Sequence, residues 1–294
     1  MSSQSFRRTR ATISLLYDSA QSWIDERALR LGAGVAYYAL FALIPVLSLS
    51  IAFASFFLGQ AVRGDVEEAL ADLLGEEFAR ALLSAIDSVD LGGSEATFSL
   101  ISFGILIFTA TLLFVAWKEV VDLLWGIPRE RGARASVMRR LFGLAALLGS
   151  GALLTLNLAV ETIIATVDRF VDNQLLDILL KLMGSFIPVA LGALFVGVLF
   201  KYTPDLDVSW RSVWFAALVS MAMLSVGAWG YGLYLDRYAF SSAAGAVGAL
   251  LLGLVLVYYG TAILLYGMTI VKLAHASEGY VPLAFRRLKG SNGT

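Results

Sequence analysis

Long apolar runs separated by shorter polar segments dominate the chain. A helix needs roughly 20 mostly apolar residues to cross the hydrocarbon of a bilayer. The runs are continuous rather than alternating, which favours helices over the strands of a closed barrel. Six segments are long enough, and we predict membrane-spanning helices at Leu31–Leu58, Thr97–Trp117, Leu141–Val167, Ile178–Tyr202, Val213–Leu235 and Ala243–Leu273.

In two regions outside these runs, apolar residues recur at helical spacing among polar residues. Residues 1–30 predict a cytoplasmic amphipathic helix on the membrane surface, with a disordered basic tail as the alternative. Residues 59–96 are acidic and predict two short helices that form a cap on the outer face. The fold class is therefore an all-α membrane protein, with a six-helix domain at 31–275 and a cytoplasmic tail at 276–294. The apolar positions of the amphipathic pattern are Ile13, Leu16, Tyr17, Ala20 and Ile24.

Composition agrees with this pattern, and charge gives it an orientation. Hydrophobic residues make up 59% of the chain and charged residues 15%, with a mean hydropathy of +0.78. With the N-terminus inside, 17 of the 22 Lys and Arg residues fall on the inner side. Cytoplasmic loops carry such an excess, so we predict a multi-pass protein of the cytoplasmic membrane with both termini in the cytoplasm. The net charge of −1 gives no reason to expect nucleic acid as a partner.

The sequence lacks several residues and motifs on which catalytic sites are commonly built. There is no cysteine, and His275 is the single histidine, so sites built on thiolates or on two histidines are excluded. Neither a P-loop nor a GxSxG elbow occurs. We therefore predict no enzymatic activity, no metal and no cofactor, and membrane lipids as the partners.

Polar residues and prolines inside the apolar runs indicate function better than any catalytic motif does. Placing a polar residue in lipid costs free energy, so such residues are candidates for a functional role. Asn157 and Glu161 share a helix face and suit a polar cavity or a proton- or ion-linked site. In the alternative, Glu161 extends to the outer interface and Asn157 bridges two helices. Pro45 and Pro188 each remove a backbone bond, which suits either a substrate site or an ordinary kink. The candidate substrate pathway comprises Tyr37, Tyr38, Pro45, Asn157, Glu161, Pro188, Tyr258 and Tyr259.

Other intramembrane and flanking residues favour structural roles. Gly253, Gly260 and Gly267 recur every seven residues and predict a seam where another helix approaches closely. Lys118 and Asp122 are four residues apart and predict an ion pair at the inner interface. The inner-interface set is Lys118, Asp122, Lys201, Tyr202 and Pro204.

Two short matches indicate an internal duplication. Ile44-Pro45-Val46 corresponds to Ile187-Pro188-Val189, and Ala116-Trp117 corresponds to Ala228-Trp229. Three helices in each half would make the halves inverted, as in many transporters. Chance similarity between apolar segments is the alternative.

Several motifs occur in order over most of residues 25–275, beginning with the run from Gly34 to Pro45. They resemble the motifs of the YihY/BrkB family of inner-membrane proteins, formerly mislabelled ribonuclease BN. The resemblance implies six helices in a prokaryotic cytoplasmic membrane and a link to envelope lipid or polysaccharide export. The chain departs from the family where Gly267-Met268-Thr269 replaces Gly-Ala-Glu, which leaves Glu161 as the candidate acidic group. The other motifs are Trp125–Pro128, Leu199–Pro204, Trp210-Arg211, Gly232–Leu235, Gly245–Gly248 and Leu265–Gly267.

These features together predict a transporter, of flippase or exporter type, for an amphipathic or lipid-linked envelope substrate. It would not hydrolyse ATP itself. A non-transporting membrane scaffold for envelope partners is the alternative, and a membrane hydrolase or ribonuclease is disfavoured by the missing catalytic residues. Whether the chain forms a homo-oligomer stays open.

Overall fold

The computed structural model is helical over the ranges that it describes, apart from a few turns, and no strand occurs in these ranges. These ranges are residues 2–58, 64, 71, 79–80, 83–84, 96–128, 133–168, 174–238 and 245–277. The all-α prediction is confirmed over them. The helices are α1 (Ser2–Asp25), α2 (Ala28–Leu58), α3 (Ala96–Leu124), α4 (Ala133–Asp168), α5 (Gln174–Tyr202), α6 (Trp210–Tyr238) and α7 (Gly245–Ser277).

Most of the long helices extend beyond the apolar runs that predicted them. α3 continues seven residues past Trp117, and α4 begins eight residues before Leu141. Apolar content marks only the part of a helix that suits hydrocarbon, whereas backbone hydrogen bonding continues into polar sequence. The polar ends therefore bring charged side chains onto helices, where neighbouring helices fix their positions.

Helices α2 to α7 form a closed ring. Each packs against the next along the chain, and α7 returns to pack against α2. α4 also contacts α2. The C-terminal ends of α3, α5 and α7 meet the starts of α2, α4 and α6 at one end of the ring, which we call the basic end.

The best-buried apolar side chains lie toward the basic end, where α3, α5, α6 and α7 meet. Phe200, Leu265, Val213 and Val271 are fully buried there, as is Val121. Trp117 stacks on Phe200 with ring centroids 6.5 Å apart. This tight packing holds the charged groups at the helix ends in defined positions.

Four helices are long and apolar enough to cross a membrane, as judged by length and composition over the described residues. Their apolar segments have mean hydropathies of 1.7 to 2.2. α2 and α3 have 31 and 29 residues, and an apolar stretch of α2, Ala28–Ala42, lies within the described residues. Six spans and the inverted repeat therefore stay predictions. The four segments are Arg134–Ile164, Leu182–Tyr202, Trp210–Leu233 and Gly253–Ser277.

Helix α1 presents different faces to the bundle and to its surroundings. Ser19 is buried, and Trp23 Nε1 donates a hydrogen bond of 3.1 Å to Ala262 O on α7. Ile13, Tyr17 and Ile24 are more than 60% exposed and share another face. The helical N-terminal segment agrees with the amphipathic prediction, and the exposed apolar face suits an interface with lipid.

Two predicted features lie mostly outside the described residues. The cap at 59–96 is described only at isolated helical positions, among which Ala79 and Leu83 are buried. Of the tail at 276–294, only the first two residues are described, and they end α7.

Candidate functional site

Lys118 and its partners form a network that joins α3 to the connection between α5 and α6. Lys118 is 5% exposed and donates a hydrogen bond of 2.9 Å to Thr203 O. Its Nζ lies 3.0 Å from Asp205 Oδ1 and 3.7 Å from Asp122 Oδ1, so the pair predicted from the four-residue spacing is present. Trp117 Nε1 donates to Thr203 Oγ1 at 3.0 Å. Because a buried cation is costly without partners, these contacts hold the helix ends together.

Lys272 extends the network to α7 and to the turn between α1 and α2. It is 8% exposed and donates to the carboxylate of Glu26 and, at 2.7 Å, to Leu124 O at the end of α3. Trp125 lies beside His275, with ring centroids 6.2 Å apart. We call Glu26, Lys118, Asp122, Thr203, Asp205 and Lys272 the lysine network.

Burial raises the pKa of Asp122 above its ordinary value of 3.8, although Lys118 and Arg139 oppose the shift and Asp205 reinforces it. Asp122 lies beyond the predicted span, which ends at Trp117. The folded chain therefore binds this proton more tightly than the unfolded chain does. The resulting stabilisation is present below the unfolded pKa and is lost as the pH rises through the folded pKa.

We expect the Asp122→Asn variant to gain stability relative to the natural chain as the pH rises from about 4 to 7. The measurement is the midpoint of thermal unfolding in detergent, followed by circular dichroism. Asp207→Asn is the control, because a hydrogen bond from Lys201 lowers the pKa of Asp207 and places its titration below this range. A constant difference between natural chain and Asp122→Asn across the range would contradict the prediction.

A polar cavity of about 260 Å³ lies between α2, α3 and α4. Its polar lining includes Tyr38 on α2, Glu119 on α3, and Arg139 and Arg140 on α4. We call these residues with their apolar neighbours the arginine cavity. Arg140 lies seven residues into α4, roughly 10 Å from its first residue at the rise of a helix.

Arg140 occupies an apolar segment and is held by groups on α3. Its guanidinium lies 4.1 Å from the centre of the Phe108 ring, and its Nη1 is 3.5 Å from Thr111 Oγ1. The two helices approach closely here, since a Cβ on Gly143 would lie 2.9 Å from Thr111 O. Neither contact neutralises the cation, so the guanidinium keeps its capacity to bind an anion.

Two of the predicted pathway residues line different cavities. Tyr38 lines the arginine cavity, whereas Tyr258 lines a second cavity beside α1. Asn157 is 17 residues beyond Arg140 on α4, which corresponds to about 26 Å along the helix. It donates a hydrogen bond of 2.8 Å to Glu161, which is exposed. Neither residue lines the two cavities described here.

Tyr37, Tyr259 and Pro188 lie on outer or partly covered surfaces, and the side chain of Pro45 lies outside the described residues. Tyr37 and Tyr259 are each 58% exposed, and each makes an edge-on contact with the tyrosine beside it. α5 continues through Pro188, and α2 continues through position 45. This continuity favours the kink alternative at both prolines over a broken helix.

The glycine seam is tight at Gly267. Gly267 is buried, and a Cβ there would overlap Ser220 Oγ and lie 2.7 Å from two carbons of the Phe200 ring. At Gly260 the nearest such contact is an ordinary 3.8 Å to Leu224. Gly253 is buried within α7.

The remaining inner-interface residues cluster at the end of α5. Lys201 donates hydrogen bonds of 2.7 Å to both Asp207 and Val208 O. Tyr202 is exposed and packs edge-on against Trp210, and Pro204 is buried. These contacts order the connection that also supplies Thr203 to the lysine network.

Sequence reasoning missed the roles of Arg139, Arg140, Glu119 and Lys272. The arginines entered only the charge count, although Arg140 adjoins the predicted span at Leu141. Lys272 lies inside the predicted span that ends at Leu273, and a charge in a span is itself a signal of a specific role. Within the described ranges, no group of three or more His, Cys, Asp or Glu residues is placed to hold a metal ion.

A helical ring containing several long apolar helices defines this chain as a polytopic membrane protein. The chain belongs to the virulence factor BrkB family, whose model matches residues 19–281. The predicted family resemblance is thus confirmed.

Two curated relatives are similar over most of the chain. UPF0761 membrane protein RSc1559 of Ralstonia nicotianae is 22% identical over 85% of this chain and 56% of its own length. UPF0761 membrane protein Mpe_A1422 of Methylibium petroleiphilum is 24% identical over 90% of this chain and 66% of its own length. The chain thus spans between half and two thirds of the length of these relatives. No solved structure matches it.

Proposed function

We propose that the chain is a flippase-like or exporter-like transporter for an amphipathic, anionic or lipid-linked envelope substrate. In this proposal all six long helices cross the cytoplasmic membrane, and the basic end faces the cytoplasm. At 1.5 Å per residue, helices of 29 to 36 residues exceed the roughly 30 Å of hydrocarbon. The excess of positive charge at the basic end supports this orientation.

The arginine cavity is the observation that carries the proposal. Guanidinium groups bind phosphate and carboxylate through paired hydrogen bonds, and two arginines line this cavity. Its volume of about 260 Å³ suits a polar head group and is too small for a whole lipid. An amphipathic substrate would place its head group here and leave its apolar part among the helices or in lipid.

The surroundings of Arg140 support a role in the substrate pathway, in addition to its effect on the orientation of the chain in the membrane. A charge in an apolar segment is expensive and marks substrate pathways in membrane proteins. Glu119 and Arg139 have further interactions of their own, so the cavity is not simply a pair of free cations. A carboxylate beside the arginines moderates anion affinity, which suits a substrate that must also leave.

Transport is tested with the purified chain in vesicles that contain fluorescent phosphatidylglycerol or phosphatidylcholine. Dithionite destroys the label in the outer leaflet, so label lost beyond that fraction measures movement across the bilayer. We expect the natural chain to move the phosphatidylglycerol label and Arg140→Gln to slow it about tenfold or more, as loss of one charge-assisted bond implies. Arg134→Gln is the control, because Arg134 is exposed on the same helix outside the cavity.

Two outcomes would overturn this assignment. Movement of label by Arg140→Gln at the natural rate would exclude the arginine cavity from the pathway. No movement of either label by the folded natural chain would count against lipid transport and favour the scaffold alternative.

A further inference from the structure

A second cavity, separate from the arginine cavity, lies where α1 turns into α2 and both approach α7. Its volume is about 650 Å³, within the range of about 300–1,000 Å³ that is common for ligand sites. Trp23 and Ile24 from α1, Leu29 from α2 and Tyr258 from α7 supply apolar wall. Arg27 and Arg30 also line it. We call it the α1–α2 pocket.

The turn holds both arginines on this pocket. Arg27 N donates to Ile24 O at 3.0 Å, and Arg27 O accepts from Arg30 N at 2.8 Å. Arg27 has a φ of 54°, a left-handed conformation that favours glycine or asparagine at the end of a helix. The chain therefore carries a long basic side chain at a position where its backbone is strained.

Neither arginine is neutralised within the part of the chain that the structure describes. No hydrogen bond or ion pair joins Arg27 or Arg30 to another side chain there. The nearby carboxylate of Glu26 accepts from Ser22 Oγ at 3.1 Å and from Lys272. The pocket thus joins an apolar and aromatic wall to two guanidinium groups that have no side-chain partner among the described residues.

We propose that the α1–α2 pocket binds an anionic phospholipid of the membrane, with its phosphate on Arg27 and Arg30 and its acyl chains along the apolar wall. Charge complementarity selects an anion, and basic pockets between membrane helices bind lipid head groups in this way. The exposed apolar side chains beside the arginines select a lipid over a soluble phosphate, because Ile24 and Leu29 are 64% and 40% exposed.

Trp23 makes the bound lipid a structural link between helices. Its indole is fixed to α7 through Ala262 O and packs edge-on to Tyr266 at 6.3 Å. A lipid seated against Trp23, Leu29 and Tyr258 would touch α1, α2 and α7 together. Its binding therefore stabilises the attachment of α1 to the ring and does not depend on whether the chain transports anything.

The test measures lipid binding to the purified full-length chain by native mass spectrometry and by thermal shift in detergent. We expect phosphatidylglycerol to stay bound and raise the unfolding temperature, and phosphatidylcholine to do neither. Roughly fivefold weaker binding is expected for each arginine replaced, since each basic residue near an anionic lipid contributes modestly. The variants are Arg30→Gln, which keeps an ordinary helical backbone, and the double variant Arg27→Gln/Arg30→Gln.

Two matched variants locate the site. Arg211→Gln removes an exposed arginine at the basic end outside the pocket and should bind phosphatidylglycerol as the natural chain does. Arg140→Gln alters the arginine cavity and leaves Arg27 and Arg30 in place. The loss of binding caused by Arg30→Gln should therefore be the same in the natural chain and in the Arg140→Gln background, so this proposal and the transport proposal can fail separately.

Equal loss of binding in Arg211→Gln and Arg30→Gln would overturn the proposal, because the lipid would then sense only overall charge. Equal binding of phosphatidylcholine would overturn it as well. Full competition by soluble glycerol phosphate would show that the pocket recognises a soluble anion and not a lipid.

Discussion

Replacing Lys272 with methionine is expected to lower the free energy of unfolding by about 3 kcal/mol. Lys272 is 8% exposed and bonds both the Glu26 carboxylate and Leu124 O. Methionine fills similar space but leaves the carboxylate of Glu26 without its cation. One oxygen of that carboxylate, Oε2, is already buried without a hydrogen-bond partner among the described residues. Removing one partner of a buried pair costs more than the pair itself contributes.

A double-mutant cycle separates the energy of the Lys272–Glu26 interaction from the other effects of replacing each residue. Lys272→Met/Glu26→Gln should recover part of the loss, because a neutral amide is cheaper to bury than an unpaired carboxylate. Reversible unfolding in mixed micelles, followed by circular dichroism, supplies the free energies.

Lys201→Met is the matched control for this cycle. It breaks an ion pair whose partner Asp207 has a side chain 98% exposed, and it should lower the free energy of unfolding far less than Lys272→Met does. Equal effects of Lys201→Met and Lys272→Met would contradict the role assigned to the lysine network.

Local pattern was sufficient to predict the helices and the contacts within them. Apolar runs located all six long helices, and four-residue spacing located the Lys118–Asp122 and Asn157–Glu161 pairs, which both exist. These features depend on neighbours along one helix, where the geometry is known in advance.

The two charged sites could not be predicted because they depend on which helices adjoin. Lys118 meets Thr203 across 85 residues of sequence, and Lys272 meets Glu26 across 246. Arg140 counted toward orientation, but only the packing of α4 on α3 places it beside Phe108. A hydropathy pattern contains no information on the order of helices around a ring. The predicted pathway therefore drew on polar residues that the structure leaves far apart, such as Tyr38 and Asn157.

Replacing Gly267 with alanine is expected to destabilise the chain by about 1–3 kcal/mol, the usual cost of overpacking. The added Cβ would overlap Ser220 Oγ on α6 and lie 2.7 Å from carbons of the Phe200 ring on α5. Ser220 can turn its hydroxyl aside, but Phe200 is fully buried and stacks on Trp117. The overlap of the added Cβ with the Phe200 ring can therefore be removed only if α7 moves away from α5.

Gly260→Ala tests whether this destabilisation comes from steric overlap or from replacing any glycine of the seam. The nearest contact for its Cβ is 3.8 Å, and alanine favours a helix over glycine by about 1 kcal/mol, so this variant should be neutral or stabilised. Adding Phe200→Leu to Gly267→Ala should recover less than the full loss, because it opens room but removes buried ring surface. If Gly267→Ala unfolds at the same temperature as Gly260→Ala, the close approach of α7 to α5 and α6 is wrong. A loss confined to Gly267→Ala would instead place the packing constraint of the seam at that one glycine, where the family resemblance also ends in a Leu-Tyr-Gly motif.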